Sequence, residues 1–142
     1  MADSKSTLLP RGPLGAWRAL RWSLRGLRLA FLSNFTPAML DRAVAGSGLD
    51  GLFDEHLSTD RVRAFKPDPR AYAMGEGFWK LPREAIAFAA FGGWDAAGAR
   101  AYGYPTFWVN RAGVPAERLD TVADAGGTTL TELAAWVRTK RG

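Results

Sequence analysis

Short apolar runs that alternate with helix signals constrain the fold of this chain more than any other feature. Leu27–Leu32, Ile86–Phe91 and Thr106–Val109 are apolar along most of their length, not only at every second residue. Strands of this kind are buried on both faces, as in a parallel sheet that helices cover. The sequence therefore predicts an α/β fold, a Rossmann-like parallel sheet with helices on both faces.

Local capping signals predict where two of the intervening helices begin. Thr36 precedes Pro37, and Asp68 precedes Pro69, so each proline takes the first helical position behind a capping side chain. We expect these helices to end near Ala45 and Lys80. The other predicted elements are helices at Leu14–Leu24 and Asp95–Tyr102, a short strand at Glu55–Ser58, and a last helix that opens with the capping box Thr129–Glu132.

The composition excludes several kinds of site. The 142 residues include no cysteine, which rules out disulfides and thiolate chemistry, and the single histidine, His56, argues against a multi-histidine zinc site. No apolar run approaches the roughly 20 residues of a membrane-spanning helix. We expect a soluble, cytoplasmic protein without a membrane interaction.

The positive charge is concentrated at one end of the chain. Residues 1–28 carry five more basic than acidic side chains, which equals the net charge of +5 of the whole chain. The remainder is therefore neutral, which is not typical of a nucleic-acid-binding domain. Residues 1–12 have no hydrophobic periodicity, so we predict a disordered leader there and one folded domain over residues 13–142.

Polar side chains follow the predicted strands at the end where α/β folds bind ligands. Ser33 and Asn34 follow the first strand beside a helix N-terminus, which favours an anion. Lys66 follows the second strand, Tyr72 lies one helical turn beyond Pro69, and Asp95 follows the third strand. Taken singly, each residue also has a structural explanation as a helix-entry turn, a solvated lysine, a half-buried tyrosine or an N-cap. Their common position predicts a site.

Three segments resemble the later motifs of the haloacid dehalogenase superfamily: Leu29–Asn34, Lys66–Tyr72 and Gly93–Ala99. The closest resemblance is to its L-2-haloacid dehalogenase (type II) branch, over about Leu27–Arg111. The strings Lys-Pro-Asp-Pro-Arg-x-Tyr and Trp-Asp-Ala-Ala-Gly-Ala favour this branch over the phosphatases of the superfamily.

The resemblance implies a reaction and a role for each candidate residue. In that family an aspartate on an earlier strand displaces halide from a 2-haloacid, and water then hydrolyses the ester. Carried onto this chain, Ser33 and Asn34 help to bind the substrate carboxylate and Tyr72 lines the pocket. Lys66 steadies the carboxylates, and Asp95 positions or activates the water. The resemblance implies a small-molecule 2-haloacid substrate, no metal and no cofactor.

Two departures from the family pattern affect what we expect of this chain. The serine and asparagine of the last motif fall on Ala90 and Gly92. Only 32 residues precede Ser33, and the Asp-x-x-x-Thr string at Asp3–Thr7 follows no apolar strand. We therefore expect the core to lack its first, central strand and the helical cap, and to be inactive alone.

A missing central strand would also expose two inner sheet edges, which favour pairing with another chain, such as a second copy in a homo-oligomer. Two alternatives stay open. The first alternative is another hydrolase of the superfamily, such as a phosphatase, and the second is a non-catalytic binding remnant.

Overall fold

The computed structural model describes residues 13–49, 51–116 and 118–140. The predicted leader at residues 1–12 lies outside this range. The described helices and strands, in chain order, are α1 (Pro13–Ser23), β1 (Ala30–Ser33), α2 (Pro37–Ser47), β2 (Glu55–Ser58), α3 (Pro69–Trp79), β3 (Phe88–Ala90), α4 (Gly93–Tyr102), β4 (Thr106–Val109), β5 (Ala125–Gly127) and α5 (Leu130–Lys140). Two 3₁₀ turns, Thr59–Val62 and Arg83–Ala85, precede α3 and β3.

The strands form two parallel sheets. In one sheet β1 pairs with β2, and in the other the order is β3-β4-β5. Every pair is parallel, which confirms the predicted sheet type. Within the described residues, β1 and β3 each have a strand neighbour on one side only.

Helices cover both faces of the three-stranded sheet. Phe88 and Thr106 are partners in the β3–β4 register, so they share a face, and Phe107 points to the opposite one. On the Phe107 side, α1 and α5 contribute buried leucines, whereas on the Phe88 side α3 and α4 contribute Tyr72 and Ala99. The predicted arrangement of helices on both faces is confirmed.

Side-chain packing connects the two sheets. Trp17 of α1 has ring contacts with Phe31 of β1 and with Phe91, which follows β3, at centroid distances of 6.4 and 5.7 Å. A second cluster, which contains Tyr72, includes both Leu32 of β1 and Phe88 of β3. The ring contacts of Trp17 and the cluster that contains Tyr72 therefore each connect the β1 side of one sheet with the β3 side of the other.

The predicted helix caps are present. The Thr36 side chain accepts a hydrogen bond from the Met39 amide, and Asp68 accepts one from the Arg70 amide. Several strand bounds were wrong. β1 begins at Ala30, three residues later than predicted, and β3 begins two residues later, at Phe88, because a 3₁₀ turn precedes it. β5 was not predicted at all. None of the helices in the described part of the chain is long and apolar enough to cross a membrane.

Candidate active site

A buried ion pair lies at the centre of the candidate site. Lys66 Nζ is 2.8 Å from Asp95 Oδ2, and the two side chains are only 9% and 11% exposed. Lys66 stands in the loop between β2 and α3, whereas Asp95 stands in the first turn of α4, directly after β3. The carboxyl ends of strands from the two different sheets thus bring opposite charges together where water screens them little.

Tyr72 holds the other oxygen of the same carboxylate. Its hydroxyl donates to Asp95 Oδ1 at 2.7 Å, and its ring is completely buried. Burial, followed by the hydrogen bond to Asp95, raises the pKa of the Tyr72 hydroxyl far above its usual range. The group therefore stays a hydrogen-bond donor. Each carboxylate oxygen has a second lone pair, so Asp95 can still accept from a water molecule.

Asp95 does not cap α4, and the predicted start of this helix at Asp95 was wrong. Gly92 is the N-cap residue and α4 begins at Gly93. Asp95 is therefore the third residue of the helix, and its carboxylate bonds Lys66 and Tyr72. The structural explanation of Asp95 as an N-cap is thereby excluded.

Asn34 ties the Lys66 loop to the end of β1. Its Oδ1 accepts from the Lys66 amide at 2.9 Å and from the Thr59 hydroxyl at 3.1 Å. Two donors on one atom identify that atom as the amide oxygen, which leaves Nδ2 as the donating end of the side chain. Asn34 thus helps to set the backbone position from which Lys66 reaches Asp95.

Ser33 has a local role in the turn between β1 and α2. Its Oγ accepts from the Phe35 amide at 3.0 Å, and its hydroxyl retains a proton to donate. The structure therefore brings Lys66, Asp95 and Tyr72 into direct contact and attaches Asn34 through the Lys66 backbone. Ser33 lies next to Asn34 at the end of β1, with its hydrogen bond directed into the turn.

Sequence reasoning missed several residues that support the site. Thr59 is fully buried against Asn34, and Tyr104 donates to the Tyr72 carbonyl. Gly98 allows Tyr72 to lie close to α4, since a Cβ there would be 2.5 Å from the tyrosine hydroxyl. The glycine in the Asp-Ala-Ala-Gly-Ala string was the only signal for any of these contacts.

Several aromatic side chains next to the candidate site residues in the sequence are exposed. Phe35, Phe65 and Trp94 each adjoin a candidate site residue in the sequence and are 45%, 64% and 43% exposed. Phe91, directly after β3, is 45% exposed. The centroid of the Trp94 ring lies 5.8 Å from Lys66 Nζ, and apolar groups beside a few polar ones are typical of small-molecule sites. In the described part of the chain, no group of three or more His, Asp or Glu side chains could hold a metal ion.

Comparisons with known proteins identify the family. No family model matches the chain. It is 42% identical over 118 residues to an (S)-2-haloacid dehalogenase of Pseudomonas sp. (strain YL), covering 83% of this chain and 51% of that protein. It is 43% identical over 110 residues to haloacetate dehalogenase H-2 of Moraxella sp. (strain B), covering 78% and 48%. This chain belongs to the L-2-haloacid dehalogenase family. It spans about half the length of the curated relatives it matches.

Solved structures agree with this assignment. One L-2-haloacid dehalogenase superposes with a TM-score of 0.79 at 43% identity, covering 87% of this chain and 53% of that one. The enzyme from Xanthobacter autotrophicus with chloropropionic acid covalently bound gives a TM-score of 0.79 at 29% identity, covering 89% and 60%. A phosphatase from Thermococcus onnurineus, at 22% identity and a TM-score of 0.72, shares the fold. The haloacid dehalogenase core predicted from the motifs is confirmed.

Proposed function

We propose that this chain carries the lysine–aspartate part of an active site that hydrolyses small L-2-haloacids to 2-hydroxy acids. The observation that supports it is the buried network of Lys66, Asp95 and Tyr72 at the carboxyl ends of the strands. The chain's relatives are (S)-2-haloacid dehalogenases, and a structural neighbour holds chloropropionic acid covalently. In this network the Asp95 carboxylate can accept a proton, and the Lys66 ammonium beside it can stabilise a negative charge.

The proposed reaction has two steps that balance. A carboxylate oxygen attacks C2 of the haloacid, the carbon–halogen bond breaks and halide leaves with the bonding electrons. Water then attacks the carbonyl carbon of the resulting ester, which returns the carboxylate and releases the 2-hydroxy acid. Because Asp95 is already bonded by Lys66 and Tyr72, we assign it to the second step, in which its carboxylate accepts the proton of the attacking water.

The remaining candidates bind and orient the substrate in this proposal. The Asn34 Nδ2 and the Ser33 hydroxyl donate to the substrate carboxylate beside the N-terminus of α2. The Lys66 ammonium attracts the negative charges of the carboxylates around it. Tyr72 orients the Asp95 carboxylate through its hydrogen bond and lines the pocket.

The test measures halide release from L-2-chloropropionate by ion chromatography. The chain alone should release none above background, because the displacement step requires a second carboxylate beside Lys66. A variant in which a family-type strand, Asp-x-x-x-Thr and helical cap replace residues 1–12 should be active. In that variant Lys66→Ala and Asp95→Asn should each lower the rate ~10²-fold or more.

Controls and alternative outcomes make the assignment falsifiable. Lys140→Ala removes an exposed lysine outside the site and should leave the rate unchanged. Asp95→Asn should let the ester accumulate, which mass spectrometry detects as an adduct. An active variant in which both site substitutions keep full activity would refute the residue roles. Turnover by the chain alone that Asp3→Asn abolishes would place the nucleophile at Asp3, and phosphate release from a phosphate monoester would favour a phosphatase. The cytoplasmic location and the homo-oligomer stay predictions.

A further inference from the structure

Asn34 and Thr59 directly follow two paired strands, at the same edge of their sheet. In the parallel register of β1 and β2 the last two partners are Ser33 and Ser58, so the residues that come next lie side by side. Thr59 is completely buried there. A buried hydroxyl needs a hydrogen-bond partner, and the Thr59 hydroxyl donates to Asn34 Oδ1 at 3.1 Å. This contact joins a residue outside the three motifs to one of the candidate site residues.

The two hydrogen bonds on Asn34 Oδ1 have different consequences. The Lys66 amide can only donate, so it determines which end of the Asn34 side chain is the oxygen. One bond alone would leave the orientation of the amide plane loosely defined, because torsions about sp³–sp² bonds are broad. The Thr59 hydroxyl donates to the same oxygen from the end of β2, so two donors hold the plane of the amide. Both side-chain bonds use the oxygen, so Nδ2 keeps its two protons for another partner.

The backbone beside this amide is held by the same end of β2. The Ser58 hydroxyl donates to the Phe35 carbonyl, and its oxygen accepts from the Asp60 amide. Ser58 is almost completely buried. The end of β2 therefore holds the chain that follows Asn34 through Ser58, and the Asn34 side chain through Thr59.

We propose that Thr59 is a positioning residue for the substrate carboxylate. By holding Oδ1 it fixes the plane of the Asn34 amide, and hence the direction in which Nδ2 donates to a small carboxylate beside the N-terminus of α2. Thr59 is completely buried and acts only through Asn34. The statement about the carboxylate rests on the proposed function, whereas the restraint on the Asn34 amide does not.

Nuclear magnetic resonance of the ¹⁵N-labelled chain tests the restraint directly. The chain has two asparagines, Asn34 and Asn110, and no glutamine, so its spectrum contains two side-chain amide groups. Asn110→Asp removes one of them and thereby identifies the other. In the unsubstituted chain the Asn34 amide should be as rigid as the backbone, which the heteronuclear nuclear Overhauser effect measures. Thr59→Val removes the hydroxyl but keeps the shape of the side chain, so it should lower this effect and shift both Asn34 amide protons. Thr59→Ser keeps the hydroxyl and should preserve the rigid amide.

Thr106→Val is the matched control for the loss of a buried hydroxyl. Thr106 is also completely buried, and its hydroxyl donates to the Tyr104 carbonyl at 2.8 Å. The same chemical change there should leave the Asn34 amide signals in place. Unchanged Asn34 signals in a folded Thr59→Val variant would refute the positioning role. An Asn34 amide that is already mobile in the unsubstituted chain would refute the restraint itself, even if Thr59→Val failed to fold.

The effect on the substrate is measured separately in the variant with the added family segment. There Thr59→Val should raise KM for L-2-chloropropionate ~5-fold with little change in kcat, since a contact to the carboxylate contributes equally to binding of the substrate and of the transition state. Thr59→Ser should restore KM, and Thr106→Val should leave it unchanged. An unchanged KM in Thr59→Val would refute the role toward the carboxylate. Absence of any turnover in the variant with the added segment would instead refute the proposed function, and the amide signals would still test the restraint.

Discussion

The ion pair between Lys66 and Asp95 gives the most direct test of the structure. Lys66→Met keeps most of the aliphatic stem but leaves the Asp95 carboxylate with Tyr72 as its remaining side-chain donor. Asp95→Asn leaves the Lys66 ammonium buried against a neutral amide. Removal of one partner from a buried pair typically costs 3–5 kcal/mol. Because both side chains are about nine-tenths buried, we expect each single substitution to cost about 3 kcal/mol.

The double variant separates coupling from simple loss of packing. With both charges removed, no unpaired charge is left, so Lys66→Met/Asp95→Asn should cost about as much as one single substitution. The magnitude of the coupling energy is then about 3 kcal/mol. Urea unfolding at neutral pH, followed by circular dichroism, measures all three free energies of unfolding. Each single variant should also lower Tm by roughly 10 °C, given the size of the chain.

An exposed ion pair provides the control for this cycle. Arg70 pairs with Asp68 at 2.9 Å but is 70% exposed, so Arg70→Met should leave the urea midpoint nearly unchanged. Additive costs in the double variant would show that Lys66 and Asp95 do not interact in solution. Full stability of Lys66→Met would contradict the burial of the pair.

Two further predictions concern Tyr72. Gly98→Ala should lower the free energy of unfolding by about 1–3 kcal/mol, because its Cβ would meet the Tyr72 hydroxyl at 2.5 Å and Pro67 at 3.0 Å. Gly77→Ala is the control, since its Cβ would have nothing within 4 Å, and it should not destabilise the protein. Thermal unfolding compares the two variants. Tyr72→Phe tests the raised pKa of the hydroxyl. Above about pH 10 an unfolded tyrosine ionises while the buried one keeps its proton, so the folded state binds more protons and stability falls as pH rises. Tyr72→Phe should be less stable at neutral pH, and its deficit should narrow above pH 10; a constant deficit in urea midpoints would contradict this.

Local chemistry explains why parts of the fold could be predicted from the sequence. Thr36 and Asp68 each act within three residues of their own helix, so their capping role needs no tertiary information. Lys66 and Asp95 could be grouped because both follow strands, and the carboxyl ends of parallel strands lie at one edge.

Tertiary context explains what could not be predicted. β5 is Ala-Gly-Gly, which has no β-branched or aromatic residue, and it is a strand because it pairs with β4. The hydrogen bonds that Asn34 accepts come from the Thr59 hydroxyl and the Lys66 amide, so they depend on the loop after β2 returning to the end of β1. The indole of Trp94 packs against Gly92, where a Cβ would lie 2.9 Å from its Nε1. None of these contacts has a sequence period or a local motif.

The site also depends on how the two sheets are held together. Lys66 follows β2 of one sheet and Asp95 follows β3 of the other, so their ion pair connects sheets that share no ladder in the described part of the chain. The packing of Trp17 and Tyr72 against both sheets is the apolar counterpart of this connection.

A parallel strand added between β1 and β3 would connect the two sheets by backbone hydrogen bonds on both sides of the new strand. The amides and carbonyls along an unpaired sheet edge are available for such pairing. In the variant with a family-type segment, hydrogen exchange at β1 and β3 should therefore slow by an order of magnitude or more, since unpaired edges open more readily than central strands. Unchanged exchange there, in a variant that had become active, would show that the new segment supplies its carboxylate without joining the sheets.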